Sequence, residues 1–288
     1  MDLVGPVVEL YRRMSCELPA DVTAALRTAR EREEKDSLAQ EALDVILENV
    51  KLSLETSRPL CQDTGLPAFY VGRPAQTSER KIREAILEAT RDATELGYLR
   101  ANAVDPVTAK NSGDNTGIEF PIVHFHETDG PDTVIDAMLK GGGCENAGMR
   151  YKLPDDGLGA GRDLEGVRRC VLDAVHHAQG LACPPYIIAV AIGGARDATA
   201  ELAKRQLLRK IGDHSHVEAL AGLEARLADE ANALGIGPAG LGGKTTVLAV
   251  KAAAQHRPLA SYFVEVSFGC WAMRRGSVVI GEKGVRHG

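Results

Sequence analysis

The chain has 288 residues, 44% of them hydrophobic and 26% charged, with a formal net charge of -6. That composition belongs to an ordinary globular fold with ample chain to bury a core. The negative balance excludes a broad nucleic-acid surface, which needs clustered Lys and Arg. A site for an anion must then be a local pocket of cations. No apolar run approaches the roughly 18 residues of a membrane helix, since residues 186–192 are followed at once by Gly193 and Gly194. Residues 1–10 carry neither the basic start nor the apolar stretch of a signal peptide. The expectation is a cytoplasmic protein with no membrane and no nucleic acid among its partners. In a reducing compartment its six cysteines read as ligands, core residues or reactive thiols rather than a disulfide framework.

In chain order, residues 20–55 are rich in Ala, Leu, Glu and Arg at helical spacing, as in Ala39, Leu43, Ile46, Leu47 and Val50. A strand is expected at 68–71. A helix follows over 79–96, with Ser78 as N-cap, an apolar stripe of Ile82, Ile86, Leu87 and Ala93, and Gly97 as stop. Strands at 118–125 and 133–138 complete a mixed first half. A helix over 163–179 sets Cys170 on one face with Val167, Val171, Ala174, Val175 and Ala178, a core position. Next come a buried strand at 186–192 and helices over 197–211 and 217–234, the last with Val217, Leu220, Leu227, Ala231 and Leu234 facing inward. Strands at 246–251, 260–268 and 277–280 finish the pattern. With no repeat, low-complexity tract or linker, the expectation is one mixed α/β (α+β) domain over 1–288, long helices packed around mixed sheets.

Three cysteines sit in turn-like settings suited to a ligand. Cys61 opens Cys61-Gln62-Asp63-Thr64-Gly65, a turn that sets a carboxylate and an amide beside a thiol. Cys183 lies past the helix stop Gly180 and before Pro184 and Pro185, which fix a side chain rigidly at a sheet edge. Cys270 precedes Trp271 and the pair Arg274 and Arg275, whose guanidinium forks fit carboxylates. Each has a plainer reading: a turn with a buried cysteine, or a strand end with solvated arginines. Cys144 follows Gly141, Gly142 and Gly143, either a site thiol or a small packing residue. Cys16 has no liganding neighbour.

The stretch from Gly237 to Thr245 resembles a phosphate-binding loop only superficially. The first glycine of that motif is replaced by Pro238, and the stretch follows a helix instead of a strand. It remains a glycine loop carrying Lys244, suited to an anion. Arg100, Asn102, Asp105 and residues 111–117 concentrate hydrogen-bonding groups in a loop. His256 is a candidate proton donor or substrate contact. His176, His177, His214 and His216 have no zinc-like spacing with the cysteines.

From about residue 50 to 280, these segments resemble the alpha region of the class I (iron-sulfur) fumarase and tartrate dehydratase family. The resemblance runs through the Cys61 turn, residues 110–117, 140–146 and 182–185, the glycine loop at 235–246, and 270–276. It implies a [4Fe-4S] cluster on Cys61, Cys183 and Cys270, with one iron lacking a cysteine and open to substrate. It also implies substrate contacts at Gln62, Asp63, Arg100 and Gly143, an acid role for Asp63, and a looser match at His256. Lys244, Arg274 and Arg275 join the expected carboxylate pocket.

Single-chain members of that family continue into a beta region that carries the proposed base and further Arg and Lys contacts. This sequence ends at Gly288, so the expectation is a chain inactive alone that needs a separate beta subunit, in an α2β2 assembly. The expected reaction is reversible dehydration of a small 2-hydroxydicarboxylate, malate to fumarate, with L-tartrate to oxaloacetate the alternative. A rival of another class is an inactive iron-sulfur sensor or scaffold. It is disfavoured because a sensor has no need of Asp63, Arg100 and Lys244 beside the cysteines. A structural zinc protein fails for want of paired cysteine knuckles.

Overall fold

A computed structural model describes residues 3–288. The order of elements is mixed α/β throughout, as the sequence pattern predicts, and the chain divides into two compact units. The first comprises the described residues through Pro19 together with Glu48–Gly141 and Ala272–Gly288; the second comprises Ala20–Leu47 and Gly142–Trp271.

The first unit is built on a five-stranded sheet. Its strands are β1 (Leu66–Arg73), β2 (Ile122–Glu127), β3 (Thr133–Lys140), β8 (Arg274–Gly281) and β9 (Gly284–His287), in the order β2-β1-β3-β8-β9. Only β1 and β2 run parallel; β1 pairs antiparallel with β3, which pairs antiparallel with β8. On one face lie α1 (Val4–Cys16) and α4 (Glu79–Glu95). Helix α1 is absent from the sequence-based reading, yet Val7, Leu10, Tyr11 and Met14 bury a stripe at helical spacing. These meet Ile82, Ile86 and Ala89 of α4 and Phe69, Ile135 and Val278 of the sheet. The Tyr11 hydroxyl, deep in this core, is satisfied by Thr90 at 2.8 Å.

The second unit carries a four-stranded sheet, β4-β7-β5-β6, from β4 (Met149–Lys152), β5 (Tyr186–Gly193), β6 (Val247–Ala254) and β7 (Phe263–Gly269). Every residue of β5 is buried, which accounts for its unbroken apolar run. Helices α6 (Leu164–Ala178), α7 (Arg196–Gln206) and α8 (Glu218–Ala233) belong to this unit. The spacing of α6 places Cys170 in the core as expected, with Asp163 capping the helix by accepting from the Gly166 N–H at 2.7 Å.

Several expected boundaries shift, each for a local reason. The helical stretch 20–55 is two helices, α2 (Ala20–Arg32) and α3 (Leu38–Thr56). Ser37 restarts the second: its hydroxyl accepts from the Gln40 N–H, while the Gln40 side chain accepts from the Asp36 N–H. The strand expected at 118–125 begins only at Ile122, because Gly117 and Phe120 hydrogen-bond each other across a turn and leave Ile118 99% exposed. Helix α7 ends at Gln206 rather than 211: the Leu207, Leu208 and Arg209 N–H groups bond carbonyls only three residues back, as turns. Val217 and Leu234, expected to face inward, are the exposed cap residues of α8.

Candidate active site

The Cys61 turn leads into β1 in the first unit. The Asp63 carboxylate accepts from the Gly65 N–H through Oδ1 at 3.0 Å, closing an Asx turn. Gly65 adopts φ +83°, and a Cβ there would stand 2.8 Å from the Leu139 carbonyl carbon. Glycine is therefore needed twice over, for backbone conformation and for close approach to β3. Gly65→Ala is expected to lower stability by about 1–3 kcal/mol, measured as a shift in the urea midpoint; an unchanged midpoint contradicts this.

Register brings three strand ends to that turn: the start of β1, the end of β3 and the start of β8. Arg274, first residue of β8, is 1% exposed, and its Nη1 donates to the Asp63 carbonyl at 2.6 Å. Arg275 is 9% exposed. The plainer reading of two solvated arginines is thereby excluded. Gly141 follows β3, and a Cβ on it would lie 3.0 Å from Asp63 Oδ2 and 3.8 Å from Arg274 Nη2. Cys61 is partly exposed, and Gln62 is exposed.

Arg100 is held beside this turn by its backbone: its N–H donates to Thr64 Oγ1 at 3.1 Å, and its carbonyl accepts from Asn115 Nδ2 at 2.9 Å. The side chain is exposed. Asn115, 2% exposed, also accepts from the Asn102 and Ala103 N–H groups. The organiser of the Arg100 segment is Asn115, whose positive φ of 57° suits an asparagine.

In the second unit, one end of the four-stranded sheet gathers the remaining cysteine segments. Cys183 precedes β5 and Cys270 follows β7, and Ile187 pairs with Gly269 across that end. The Trp271 N–H donates to the Cys183 carbonyl at 3.2 Å, joining the two loops directly. Cys183 is exposed, in the left-handed region at φ 56°, an uncommon conformation for a residue with a Cβ. Cys270 is partly exposed.

Cys144 lies at the same end, in the single turn α5 (Gly142–Asn146). It is buried, and its thiol donates to the Ala182 carbonyl at 3.8 Å. Gly143 is exposed, with the Leu181 carbonyl 3.4 Å from where a Cβ would sit. Tyr186, first residue of β5, has its hydroxyl pushed up by burial, and Cys144, Cys183 and Cys270 all lie near enough to push it further.

The glycine loop also reaches this end: the Ala239 N–H donates to the Pro184 carbonyl at 2.9 Å. Glu33 accepts from the Lys244 N–H at 2.8 Å, and the exposed Lys244 ammonium stands 3.9 Å from Glu34. His256, by contrast, follows β6 at the opposite end of the sheet. The eight residues of β5 separate it from Cys183 by roughly 23 Å at strand rise. The structure does not bring His256 together with Cys183 and Cys270.

As thiolate donors the cysteines separate by burial. Cys170 is pushed up to about 12 by burial, then by Asp155 and Asp173, and Cys16 is raised chiefly by burial. Both are unsuited to binding metal as thiolates. Cys61, Cys183 and Cys270 all sit in loops with some exposure. Their donor chemistry fits an iron-sulfur cluster. Neither unit by itself holds all three, and among the described residues no three His, Cys, Asp or Glu side chains are gathered closely enough to hold a metal ion.

The first unit thus holds a loop cysteine beside a fixed carboxylate, and the second holds two loop cysteines at one end of its sheet. Residues 5–279 match the fumarate hydratase (Fumerase) family, and the chain belongs to that family. It is 45% identical over 281 residues to a Geobacillus stearothermophilus protein provisionally named class I fumarate hydratase, matching 96% of this chain and 55% of that protein. The chain thus spans about half the length of that relative. It is 38% identical to a Methanocaldococcus jannaschii protein provisionally named L(+)-tartrate dehydratase subunit alpha, covering 96% of each. Against the L(+)-tartrate dehydratase subunit alpha of Escherichia coli O157:H7 it is 33% identical, over 95% of this chain and 89% of that one. No helix of the described residues is long and apolar enough to cross a membrane.

Proposed function

We propose that the chain is the alpha subunit of an iron-sulfur hydro-lyase that reversibly removes water from a small 2-hydroxydicarboxylate, with malate to fumarate favoured. The observation that carries this reading is the Asp63 turn. Its carboxylate is fixed through Oδ1 by the Gly65 N–H, its backbone is held by buried Arg274, and it lies two residues from a loop cysteine. Fumarase and tartrate dehydratase names among the relatives support the reaction class. We assign Cys61, Cys183 and Cys270 as ligands of a [4Fe-4S] cluster with one iron free of cysteine.

When bound, such a cluster supplies a Lewis acid for the oxygen that leaves. The chain's own groups orient the substrate and move a proton. Arg100 and Lys244 are exposed cations suited to the carboxylates, Gln62 offers an amide, and the Gly143 backbone can approach closely because no Cβ intervenes. Asp63 gives a proton to the departing hydroxyl, so water leaves neutral, and takes one back in the reverse direction. The base for the carbon-bound proton is assigned to a beta subunit in an α2β2 assembly, supported by the alpha-subunit names of relatives matched over most of their length. His256, at the far end of its sheet, is left out of the proton path.

A second reading is favoured by those same names: L-tartrate dehydration to oxaloacetate. Anaerobic co-production with a beta-type subunit and measurement of kcat/KM for malate and for both tartrate enantiomers decides between them. A higher value for malate is expected; a higher value for L-tartrate establishes the second reading, and turnover of neither removes both.

A further inference from the structure

In the first unit, two tight hairpins spring from the loop segment that Asn115 organises. In the first hairpin Val104 bridges Asn111, and the Asp105 N–H donates to the Lys110 carbonyl at 2.9 Å. Asp105 Oδ1 accepts from the Val107 and Thr108 N–H groups, both at 2.8 Å, which pins the tip. In the second, the Gly117 N–H donates to the Phe120 carbonyl at 2.9 Å and leaves Ile118 at the turn. The Ser112 N–H, bonded to the Ala103 carbonyl at 2.9 Å, and the Asn115 side chain tie both hairpins to the backbone around Arg100.

These hydrogen-bonded tips carry aliphatic side chains into water. Val104 is 52% exposed, Val107 90% and Ile118 99%. A single exposed aliphatic is ordinary on a protein surface. Three on one short segment are not explained by folding, because each leaves apolar surface wet and adds nothing to a core. The backbone beneath them is already ordered, so a partner that covers them gains apolar burial without the entropic cost of ordering a loop. Lys110, beside the first tip, is exposed and has no carboxylate partner among the described residues. The face that fits this surface is therefore apolar, with a carboxylate set against Lys110.

We infer that the two hairpin tips, through Val107 and Ile118, are a docking surface for the beta-type subunit. Two observations favour that occupant over a second copy of this chain. The same Asn115-held segment carries exposed Arg100, a cation assigned to substrate, so a subunit that brings the base to that substrate must reach this segment. The Geobacillus stearothermophilus relative is matched over 55% of its length, so nearly half of that polypeptide is a further region tethered to the part this chain resembles. Assigning the surface in this way rests on the reading of the chain as an alpha subunit, which it deepens.

Anaerobic titration calorimetry of the iron-loaded full chain with a beta-type subunit tests it. Val107→Asp and Ile118→Asp are each expected to weaken association about tenfold or more, the loss of one buried aliphatic contact. Val45→Asp, which alters an aliphatic 70% exposed on α3, is expected to leave the affinity within about twofold of wild type. Unchanged thermal unfolding of each variant verifies its fold; where an Asp variant unfolds, Val107→Ser or Ile118→Ser takes its place with the same expected direction. Wild-type affinity in both tip variants overturns the inference, as does an equal loss in Val45→Asp. Sedimentation of the chain alone supplies the other arm: tip substitutions that abolish self-association but leave beta binding intact identify a second copy as the occupant and overturn the inference. If the wild-type chain binds no beta-type subunit, the alpha-subunit reading fails and the docking surface with it. If it binds but turns over neither malate nor tartrate, only the reaction fails, and the affinities of the variants still decide the docking surface.

Discussion

Anaerobic reconstitution with iron and sulfide is expected to give the wild-type chain a broad visible absorption, which Cys183→Ser abolishes and Cys170→Ser keeps. The contrast follows from where the two thiols sit. Cys183 is exposed in a loop, with its backbone in the left-handed region and its carbonyl bonded to the Trp271 N–H next to Cys270. A serine oxygen is a poor substitute for a thiolate on iron, so loss of one of three ligands removes the chromophore. Cys170 lies at the centre of the α6 packing face with its thiol pushed up to about 12 by burial. Its replacement introduces a hydroxyl into an apolar core, expected to cost about 1–3 kcal/mol of stability without touching the spectrum. Cys61→Ser and Cys270→Ser are expected to behave as Cys183→Ser does. Retention of the full absorption by all three contradicts the ligand assignment.

Asp63→Asn is expected to lower kcat of the assembled enzyme by about 10²–10⁴, the range of a lost general acid, while KM moves little. Asparagine keeps an oxygen for the Gly65 N–H and a backbone carbonyl for Arg274, so the turn survives and only the transferable proton is removed. Unchanged exchange of the Gly65 amide in this variant verifies that survival. A fall in kcat of less than about tenfold, with the turn intact, removes Asp63 from the proton path.

Much of this architecture was legible because it rests on local rules. Ser78 caps its helix as its side chain predicts, and the apolar run of β5 is buried along its whole length. What was not legible depends on strand register. Asp63, Gly141 and Arg274 are far apart in sequence and meet because Leu66 pairs with Lys140 and Leu139 pairs with Arg274. No spacing along the chain reveals that meeting. The same holds for His256, whose neighbours in sequence say nothing of which sheet end it occupies; parallel pairing of β5 with β6 sends it away from Cys183.

Other misses come from features that look like something commoner. Asn115 sits in an Asn- and Gly-rich stretch that reads as an ordinary turn, yet its amide gathers the Asn102 and Ala103 N–H groups, the Arg100 carbonyl and Thr94. Arg274 and Arg275, adjacent and charged, suggest a wet surface or an open clamp. Their burial follows from β8 being an internal strand between β3 and β9.

The reaction class itself is tested most directly by running it backwards in deuterium oxide. Fumarate incubated with the assembled, iron-loaded enzyme is expected to yield malate with a single carbon-bound deuterium, because hydration adds a solvent proton to one carbon and a hydroxyl to its neighbour without redox change. Proton NMR of the product reads this from the loss of one methylene signal. Fumarate recovered unchanged, or a product with no deuterium on carbon, contradicts the account.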